Sequence, residues 1–252
     1  MSPFFTIITA SLNRGSTIGN TLESIRKQRF KDYEHIIVDG CSTDGTLDIV
    51  KGYSNTYPLQ WLSEPDRGVP DAFNKALNLS AGEYIIAIQA DDYLLDEGVL
   101  ENAYKIISQR KLDIYSFPII KELAAGVVRR IDPIRHLWWI RFRNIFPHQG
   151  VFVRRELFER LGEFNIEYTI TEDYDFLYRA VNAGCTVSFE NIPIAYMGGE
   201  GPCSTNQYLS IRLREEYRLH ARNEKNIFWR AAQIIFWLIY YPYKTRFLLK
   251  AF

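Results

Sequence analysis

Short runs of apolar residues alternate with longer amphipathic segments along the first half of the chain. Each run is short enough for a strand that is buried on both faces, and the four runs lie at 4–10, 34–39, 59–63 and 84–88. Between the first two runs, Ile18, Leu22 and Ile25 recur at the spacing of one helical face. Strands and helices that alternate at this spacing predict βαβ units and an α/β fold, with a mostly parallel sheet flanked by helices.

The second half of the chain follows a looser pattern. Further strands are predicted at 112–118, 126–131, 151–153 and 186–191. Helices are predicted to end near Leu161, Gly184 and Glu224, and the last of them carries His220 among charged residues, where we expect it to face solvent. No repeat, low-complexity stretch or linker divides the chain, so we expect a single domain with a helical extension at its C-terminal end.

Composition changes this picture mainly through the distribution of charge. The 252 residues are 47% hydrophobic with a formal net charge of zero, which excludes an intrinsically disordered chain and argues against a nucleic-acid-binding protein. Residues 205–252, however, contain nine Lys/Arg and three Asp/Glu, a net charge of +6. A basic tail of this kind favours contact with an anionic surface.

The cysteines and the N-terminal residues bear on the cellular compartment. Three cysteines without metal-ligand spacing predict a reducing environment and no disulfide framework. Residues 1–4 lack the basic and apolar regions of a signal peptide, and no run reaches the ~20 apolar residues of a spanning helix. We therefore expect a cytoplasmic protein, peripheral on the inner face of the cell membrane.

Two adjacent acids, Asp91 and Asp92, follow the apolar run at 84–88. Neighbouring carboxylates at the end of a buried strand repel each other and lose hydration. A divalent cation removes this difficulty, because carboxylate oxygens are the ligands that magnesium and manganese prefer. The carboxyl ends of strands in an open α/β sheet are also where ligands bind. The pair therefore indicates a metal site for a phosphate-bearing ligand, and a polar loop with a helix cap is the alternative.

Five segments together resemble the large inverting family 2 of glycosyltransferases, and within it bacterial enzymes that extend polysaccharide or O-antigen repeat units. The resemblance implies the GT-A fold, which is Rossmann-like. The segments are Thr6–Ala10 with Asn13 and Arg14, Val38–Thr46, Glu64–Gly68 with Asp71–Ala76, Ala90–Asp92, and Glu172–Asp175. The family's D-x-D motif has Gln89 in place of its first acid here, and Cys41 stands where glycine is usual.

The resemblance also implies a role for each matching residue. Residues 1–204 would form the catalytic domain, with a nucleotide-binding part at about 1–118 and an acceptor part at about 119–204, and 205–252 would be a helical extension. Asp92, supported by Asp91, would ligate Mn²⁺ or Mg²⁺, and Asp173 would be the general base. Donor-binding residues would be Thr9, Ala10, Asn13, Arg14, Asp39, Asp66, Arg67, Asp71, Asn74, Lys75 and Asp91. Acceptor-side residues would be His148, Gln149 and Glu172.

The implied activity is transfer of a hexose from a UDP-sugar, with inversion, to a hydroxyl of a lipid-linked glycan acceptor in surface polysaccharide biosynthesis. The hexose could be galactose, glucose or N-acetylhexosamine. Two alternatives stay open, a nucleotide-sugar-binding module without catalysis and a nucleotidyltransferase. The second requires a glycine-rich phosphate loop after the first strand, and residues 11–15 contain a single glycine. For individual residues, Asp39 could instead cap a helix, and His148 could be structural.

The C-terminal extension is rich in aromatic and apolar residues between 227 and 241. Fifteen residues as a helix reach about 22 Å, which is short of the ~30 Å hydrocarbon core of a bilayer. With tryptophan, tyrosine and flanking basic residues, the segment at about 227–250 is typical of a helix that lies at a membrane surface. Packing of the same residues on the protein's own core, or on a second subunit, is the alternative.

Overall fold

The computed structural model describes residues 2–123, 126–198 and 208–249, without the side chains of 245–249. The predicted boundary at 204 and the end of the predicted membrane segment at 250 lie outside these residues. The strands are β1 (Phe5–Ser11), β2 (Tyr33–Asp39), β3 (Leu59–Ser63), β4 (Tyr84–Ala87), β5 (Tyr93–Leu94), β6 (Ile114–Ser116), β7 (Ile119–Glu122), β8 (Val128–Ile131), β9 (Val151–Arg154), β10 (Val187–Phe189) and β11 (Ala195–Met197). The helices are α1 (Ile18–Arg26), α2 (Thr46–Tyr53), α3 (Val69–Leu79), α4 (Val99–Arg110), α5 (Arg155–Leu161), α6 (Glu172–Asn182), α7 (Leu209–Asn223) and α8 (Ile227–Leu249).

A seven-stranded sheet forms the centre of the molecule in the order β10-β6-β9-β4-β1-β2-β3. Every pairing is parallel except those of β9, which runs antiparallel to β4 and β6. Ile8 on β1 lies beside Ile36 on one side and Ala87 on the other. β1, β2 and β4 are buried almost throughout, as expected for strands covered on both faces, whereas the edge strand β3 is exposed at Gln60 and Trp61. The α/β prediction is confirmed.

A second sheet of four strands, in the order β5-β11-β7-β8, was not predicted as a sheet. Its strands are two to four residues long, too short for an alternating pattern to be recognised. Stacking of the Tyr93 and Tyr196 rings, with centroids 4.5 Å apart, joins β5 to β11. This small sheet begins directly after Asp92 and ends directly before Gly198, so it fixes the segments on either side of the candidate site.

The C-terminal helices α7 and α8 pack on helix α6 through a chain of buried polar side chains. His220 on α7 is 2% exposed, so the prediction that it faces solvent is wrong. Trp237 on α8 donates its indole N–H to His220 Nδ1 at 3.0 Å, and His220 Nε2 lies 2.7 Å from the Tyr174 hydroxyl on α6. Burial lowers the pKa of His220 to about 3, so the ring is neutral at physiological pH. Helix α7, although rich in charged residues, therefore contains a buried histidine that connects it to α6 and α8.

Glu215 on α7 makes the strongest connection between the extension and the rest of the chain. Its carboxylate is 5% exposed. Oε1 accepts hydrogen bonds from the backbone N–H and the hydroxyl of Thr169, at 2.9 and 2.8 Å. Oε2 accepts three more, from the N–H of Ile170 and from the N–H and hydroxyl of Thr171, at 3.0 to 3.1 Å. Since Thr171 directly precedes α6, this carboxylate fixes the position at which α6 begins.

Replacement of Glu215 by glutamine is expected to destabilise the protein by about 2–4 kcal/mol, because the amide NH2 replaces one accepting oxygen by a donor and leaves the facing N–H and O–H groups without an acceptor. Urea unfolding at pH 8 measures the difference. The neighbouring Glu216→Gln is the matched control. One oxygen of Glu216 has no hydrogen-bond partner among the described residues, and burial raises its pKa to about 7.

The sign of the control follows from proton linkage. Because the folded-state pKa of Glu216 lies above its ordinary 4.5, the charge of this side chain costs stability once the pH rises through about 7. Glu216→Gln is therefore expected to be neutral or stabilising at pH 8. Equal destabilisation by the two substitutions would show that the hydrogen bonds of Glu215 do not contribute specifically to the free energy of unfolding.

Candidate functional site

The loops after β1 and β2 are joined side by side at the carboxyl edge of the large sheet. The N–H of Asn13 donates to Ser42 Oγ at 2.8 Å, and Asn13 Oδ1 accepts from the N–H of Thr43 at 2.9 Å. The N–H of Arg14 donates to Thr46 Oγ1 at 2.8 Å. Asn13 adopts a positive φ of 52°, which asparagine tolerates better than most residues. The structure thus brings the predicted donor-binding residues Asn13 and Arg14 next to the end of β2.

Asp39 ends β2 and is fully buried below these loops. Its carboxylate accepts hydrogen bonds from the N–H and the hydroxyl of Ser42, at 2.8 and 2.5 Å, and from the Ser63 hydroxyl at 2.9 Å. Ser63, the last residue of β3, was not singled out from the sequence. Cys41, between Asp39 and Ser42, has a φ of 64°. This left-handed conformation favours glycine and accounts for the glycine that is usual there.

The segment after β3 lies against the same edge. A Cβ at Gly40 would be 2.7 Å from Asp66 Oδ2, so only glycine leaves room for the Asp66 carboxylate. Arg67 pairs with Asp71 at 3.1 Å while 71% of its side chain stays exposed. Lys75 Nζ contacts Glu64 at 2.8 Å. Charged side chains therefore lie next to the loops that follow β1 and β2; they are Asp66, Arg67, Asp71 and Lys75.

Two predicted donor-binding residues are engaged inside the protein instead. The Thr9 hydroxyl donates to the Ile88 carbonyl at 2.6 Å and lies 2.8 Å from His35 Nε2, with no exposed surface. The Asn74 side chain donates to the Phe164 carbonyl at 2.8 Å and accepts from the Phe164 N–H at 2.9 Å. These contacts make the side chains of Thr9 and Asn74 parts of the scaffold, and a role of the two residues in donor binding stays a prediction. Ala10 is half-buried at the end of β1.

Asp91 and Asp92 stand in different environments although they are adjacent. Asp92 is 2% exposed. Its Oδ1 accepts the Gly198 N–H at 3.0 Å, and its Oδ2 accepts the Gln149 side-chain N–H at 2.9 Å. Burial, and then the charge of Asp91, raises the pKa of Asp92 to about 7. Asp91 is half-exposed. The pair therefore divides into a buried carboxylate that holds three chain segments together and an accessible one.

Gln149 is buried at the start of β9, in a segment that approaches the small sheet closely. It is 1% exposed, and its Oε1 has no hydrogen-bond partner among the described residues. The following Gly150 leaves no room for a side chain, because a Cβ there would lie 2.2 Å from the Phe117 carbonyl oxygen. Gln149 therefore positions Asp92 and does not itself face the open cleft.

Asp173 lies in the first turn of α6, near His148. Its Oδ2 accepts a hydrogen bond from the Asn144 side chain at 3.0 Å, and its Oδ1 accepts the Tyr174 N–H at 2.6 Å. His148 Nδ1 is 3.9 Å from Asp173 Oδ2, and His148 Nε2 is 3.5 Å from the Gln89 side chain. Burial lowers the pKa of His148, and the charges of Asp173 and Asp91 both oppose this shift. His148 therefore lies beside Asp173, and its pKa also responds to the charge of Asp91.

Glu172 and Asp173 are adjacent acids that share a buried environment, and they differ in the hydrogen bonds that affect their pKa values. Burial raises the pKa of both. Asp173 accepts two hydrogen bonds that favour its ionised form, whereas Glu172 Oε2 has no partner among the described residues. Burial therefore raises the pKa of Glu172 further than that of Asp173, and Asp173 is the better suited of the two to act as a base.

A cavity of about 290 Å³ opens beside Asp173 on the side of α7 and α8. Besides the predicted acceptor-side residues His148 and Glu172, its lining contains charged residues that the sequence did not connect with the site. These are Arg143, Arg212, Glu216 and Lys244. Arg143, Lys244 and the pair Arg212 and Glu216 come from three distant parts of the chain, so no local sequence pattern connects them.

Comparison with known proteins shows which family this chain resembles. The sequence model of the family "Glycosyl transferase family 2" matches residues 6–162. A PGL/p-HBAD biosynthesis glycosyltransferase of Mycobacterium bovis is 31% identical over 182 residues, which cover 71% of this chain and 70% of that protein. Poly(ribitol-phosphate) beta-N-acetylglucosaminyltransferase TarS of Staphylococcus aureus is 33% identical over 114 residues, which cover 44% of this chain and 20% of TarS.

Solved structures match over most of the chain. The crystal structure of S. aureus TarS 1–349 in complex with UDP-GlcNAc has a TM-score of 0.69 at 22% identity, over 90% of this chain and 68% of that one. The mannosyltransferase PcManGT from Pyrobaculum calidifontis, in complex with GDP-Man and Mn²⁺, has a TM-score of 0.67 at 21% identity, over 94% and 69%. Against the longer TarS structure the chain spans 37% of the length. These likenesses confirm the predicted fold.

Proposed function

Because this chain belongs to glycosyl transferase family 2, we propose that it transfers a hexose from a UDP-sugar, with inversion, to a hydroxyl of a lipid-linked glycan. The hexose would be galactose, glucose or an N-acetylhexosamine, and the product would serve a surface polysaccharide. One observation carries the proposal, the Asp173 carboxylate at the rim of a cavity, which accepts hydrogen bonds from the Asn144 side chain and the Tyr174 N–H and lies 3.9 Å from His148 Nδ1. A carboxylate held in this way suits removal of the proton from an acceptor hydroxyl, while a diphosphate departs from the opposite face of the sugar.

The donor nucleotide would bind at the joined loops after β1 and β2. Asp39 would accept the N3–H of uracil, and since its carboxylate has no exposed surface and already accepts hydrogen bonds from Ser42 and Ser63, this contact would require the loop at Ser42 to move. Arg14, Arg67 and Lys75 supply positive charge around the same loops. The TarS structure with UDP-GlcNAc supports a uridine nucleotide, and the PcManGT structure with GDP-Man makes GDP-sugars the natural comparison. Thermal stabilisation across a panel of nucleotide-sugars would rank the donors.

A divalent cation would be held by Asp91 together with the diphosphate of the donor. Asp92 was the predicted principal ligand, but both of its oxygens accept internal hydrogen bonds, whereas Asp91 is half-exposed. Among the described residues there is no group of three or more His, Cys, Asp or Glu that could hold a metal alone. Mg²⁺ and Mn²⁺ suit such a site, since they are commonly bound by one or two carboxylates and substrate phosphates. When bound, the cation would neutralise charge on the departing diphosphate.

Asp173 would take the proton of the acceptor hydroxyl as its oxygen attacks the anomeric carbon. The bond from that carbon to the diphosphate oxygen breaks on the opposite face, so the configuration inverts. The Asn144 side chain and the Tyr174 N–H hold the carboxylate in its ionised form. A single base suffices for this displacement, unlike the two carboxylates of glycoside hydrolases. A nucleotide-sugar-binding module is the alternative, and release of UDP in the presence of manganese distinguishes it, because such a module releases none.

Helix α8 supports the proposed membrane contact. Trp229, Gln233 and Trp237 face the protein, and Gln233 and Trp237 are 3% and 8% exposed. The opposite face is apolar and exposed; it consists of Ile227, Phe228, Ile234, Ile235, Leu238 and Ile239. No helix within the described residues is long and apolar enough to cross a bilayer. We therefore place the enzyme on the inner face of the cell membrane, with this apolar face at the lipid surface.

The proposed metal site is tested with Asp91→Asn. Loss of one charge from the accessible carboxylate is expected to abolish Mn²⁺-dependent UDP binding, measured by titration calorimetry, without lowering the thermal midpoint. Asp92→Asn is expected to lower the midpoint, because its amide would face a hydrogen-bond donor. Asp48→Asn, at an acid that is 84% exposed on α2, is the matched control. Retained Mn²⁺-dependent UDP binding in Asp91→Asn would return the principal role to Asp92.

The proposed base is tested by comparing Asp173→Asn with Glu172→Gln. The first is expected to bind UDP normally and to transfer at least ~100-fold more slowly, the low end for a general base. The second replaces a protonated acid by a neutral amide of the same shape, so we expect less than a ~10-fold change. Since burial raises the pKa of Asp173, the wild-type rate should begin to fall above the ordinary carboxylate range as the pH is lowered. The reverse ranking of the variants would exchange the two roles.

Membrane contact is tested by flotation with anionic liposomes of Ile235→Asn/Ile239→Asn. These side chains are 60% and 69% exposed, so the protein should fold normally. Each apolar side chain that inserts contributes about 1.5–3 kcal/mol, and binding should weaken at least ~10-fold. Leu79→Asn/Ile192→Asn, two positions that are each 47% exposed elsewhere, is the control. Equal flotation of both double variants would exclude α8 as the lipid contact.

A further inference from the structure

Three basic side chains from separate parts of the chain converge on the cavity beside Asp173. Arg143 lies in the loop before β9, Arg212 on α7 and Lys244 on α8. No pair among them is close in sequence, so the fold itself assembles the group. The cavity also borders Asp173, which places the three cations on the acceptor side of the proposed reaction and not at the donor loops.

This basic group makes few direct ion pairs, although Glu172, Asp173 and Glu216 also line the cavity. The only ion pair that the described residues give it joins Arg212 Nε to Glu216 Oε1 at 3.8 Å. Arg212 Nε is buried without a hydrogen-bond partner, and Lys244 Nζ lies 5.5 Å from the centre of the Tyr240 ring. Burial, and then the charges of Arg212 and Arg143, lowers the pKa of Lys244. Like charges that approach each other in a partly buried pocket are stabilised when an anion binds.

We propose that Arg143, Arg212 and Lys244 bind a phosphate group carried by the acceptor, next to the hydroxyl that Asp173 deprotonates. This inference rests on the proposed function. Guanidinium groups match phosphate oxygens with paired hydrogen bonds, and lysine adds a point charge. The volume of about 290 Å³ is at the lower end of small-molecule sites, which suits a sugar with its phosphate better than a long glycan.

The phosphate could come from two sources with the same chemistry. One is the phosphate or diphosphate of a lipid carrier, whose chain would run along the exposed apolar face of α8, the helix that also supplies Lys244. The other is a phosphate of a soluble or polymeric acceptor. The apolar face on the same helix favours the lipid source, and the experiment separates the two.

Two probes, inorganic pyrophosphate and n-decyl diphosphate, are titrated into the full chain in EDTA, so that no metal supports binding at the donor site. Decyl glucoside is the uncharged comparison. We expect both anionic probes to bind wild type, and Arg212→Gln/Lys244→Gln to weaken that binding at least ~10-fold, as expected for loss of hydrogen bonds to a charged group. Tighter binding of n-decyl diphosphate than of pyrophosphate identifies a lipid-borne phosphate, and equal binding identifies a soluble one.

The matched control is Arg214→Gln/Arg230→Gln, which removes the same charge from the same two helices outside the cavity. Arg214 and Arg230 are both exposed, and this variant should bind the probes like wild type. Should Arg212→Gln/Lys244→Gln fail to fold, Arg143→Gln, at an exposed loop residue, gives the same test. Unchanged binding in the cavity variants, or equal loss in the control, overturns the inference.

The proposed activity and the proposed phosphate site are tested by separate measurements. Release of UDP from a UDP-sugar by wild type in manganese tests the transferase, whereas binding of the diphosphate probes in EDTA tests the cavity. Failure of UDP release with every donor would remove the proposed function, and failure of probe binding alone would remove only the acceptor phosphate.

Discussion

A single buried carboxylate, that of Glu215, determines where the candidate base lies. It accepts five hydrogen bonds from the three residues that precede α6. A buried charge is tolerated only when its oxygens are satisfied in this way. Because Asp173 is the second residue of α6, the position of the base depends on α7, although α7 belongs to the C-terminal extension. The extension is therefore a structural part of the candidate site.

A second buried carboxylate organises the opposite side of the cleft. Asp92 connects the segments at Gln149 and Gly198, which come from distant parts of the chain, and its own carbonyl accepts the Thr21 hydroxyl at 2.6 Å. With Asp92 used in this way, the half-exposed Asp91 is left to face a ligand. The two acids of the motif thus differ in function for a physical reason. The Asp92 carboxylate has its hydrogen-bond partners inside the protein, whereas the Asp91 carboxylate keeps part of its contact with water, as the proposed cation site requires.

The sequence predicted the large sheet and most of the helices, because long apolar runs and helical spacing depend on local pattern alone. It located the loops after β1 and β2, where acids follow buried strands. It could not show that the side chains of Thr9 and Asn74 turn inward, since a polar residue near a motif has the same pattern in either orientation. His220 and Glu215 were missed for a related reason. On a helix with many charges, a buried polar residue is distinguished from a solvated one only by its tertiary partners.

Different side chains of helix α8 have three different surroundings. The sequence shows only one aromatic, apolar segment. Its Trp237 side packs on α7, its Ile235 side stays exposed, and Lys244 reaches the cavity at the base. The two alternatives of core packing and surface contact are therefore compatible, because they use opposite faces. A helix fixed to the enzyme on one face cannot insert deeply, so lipid contact would hold the cavity at a constant height above the bilayer. A phosphate at the head of a lipid lies at that same level, where the basic side chains of the cavity can meet it.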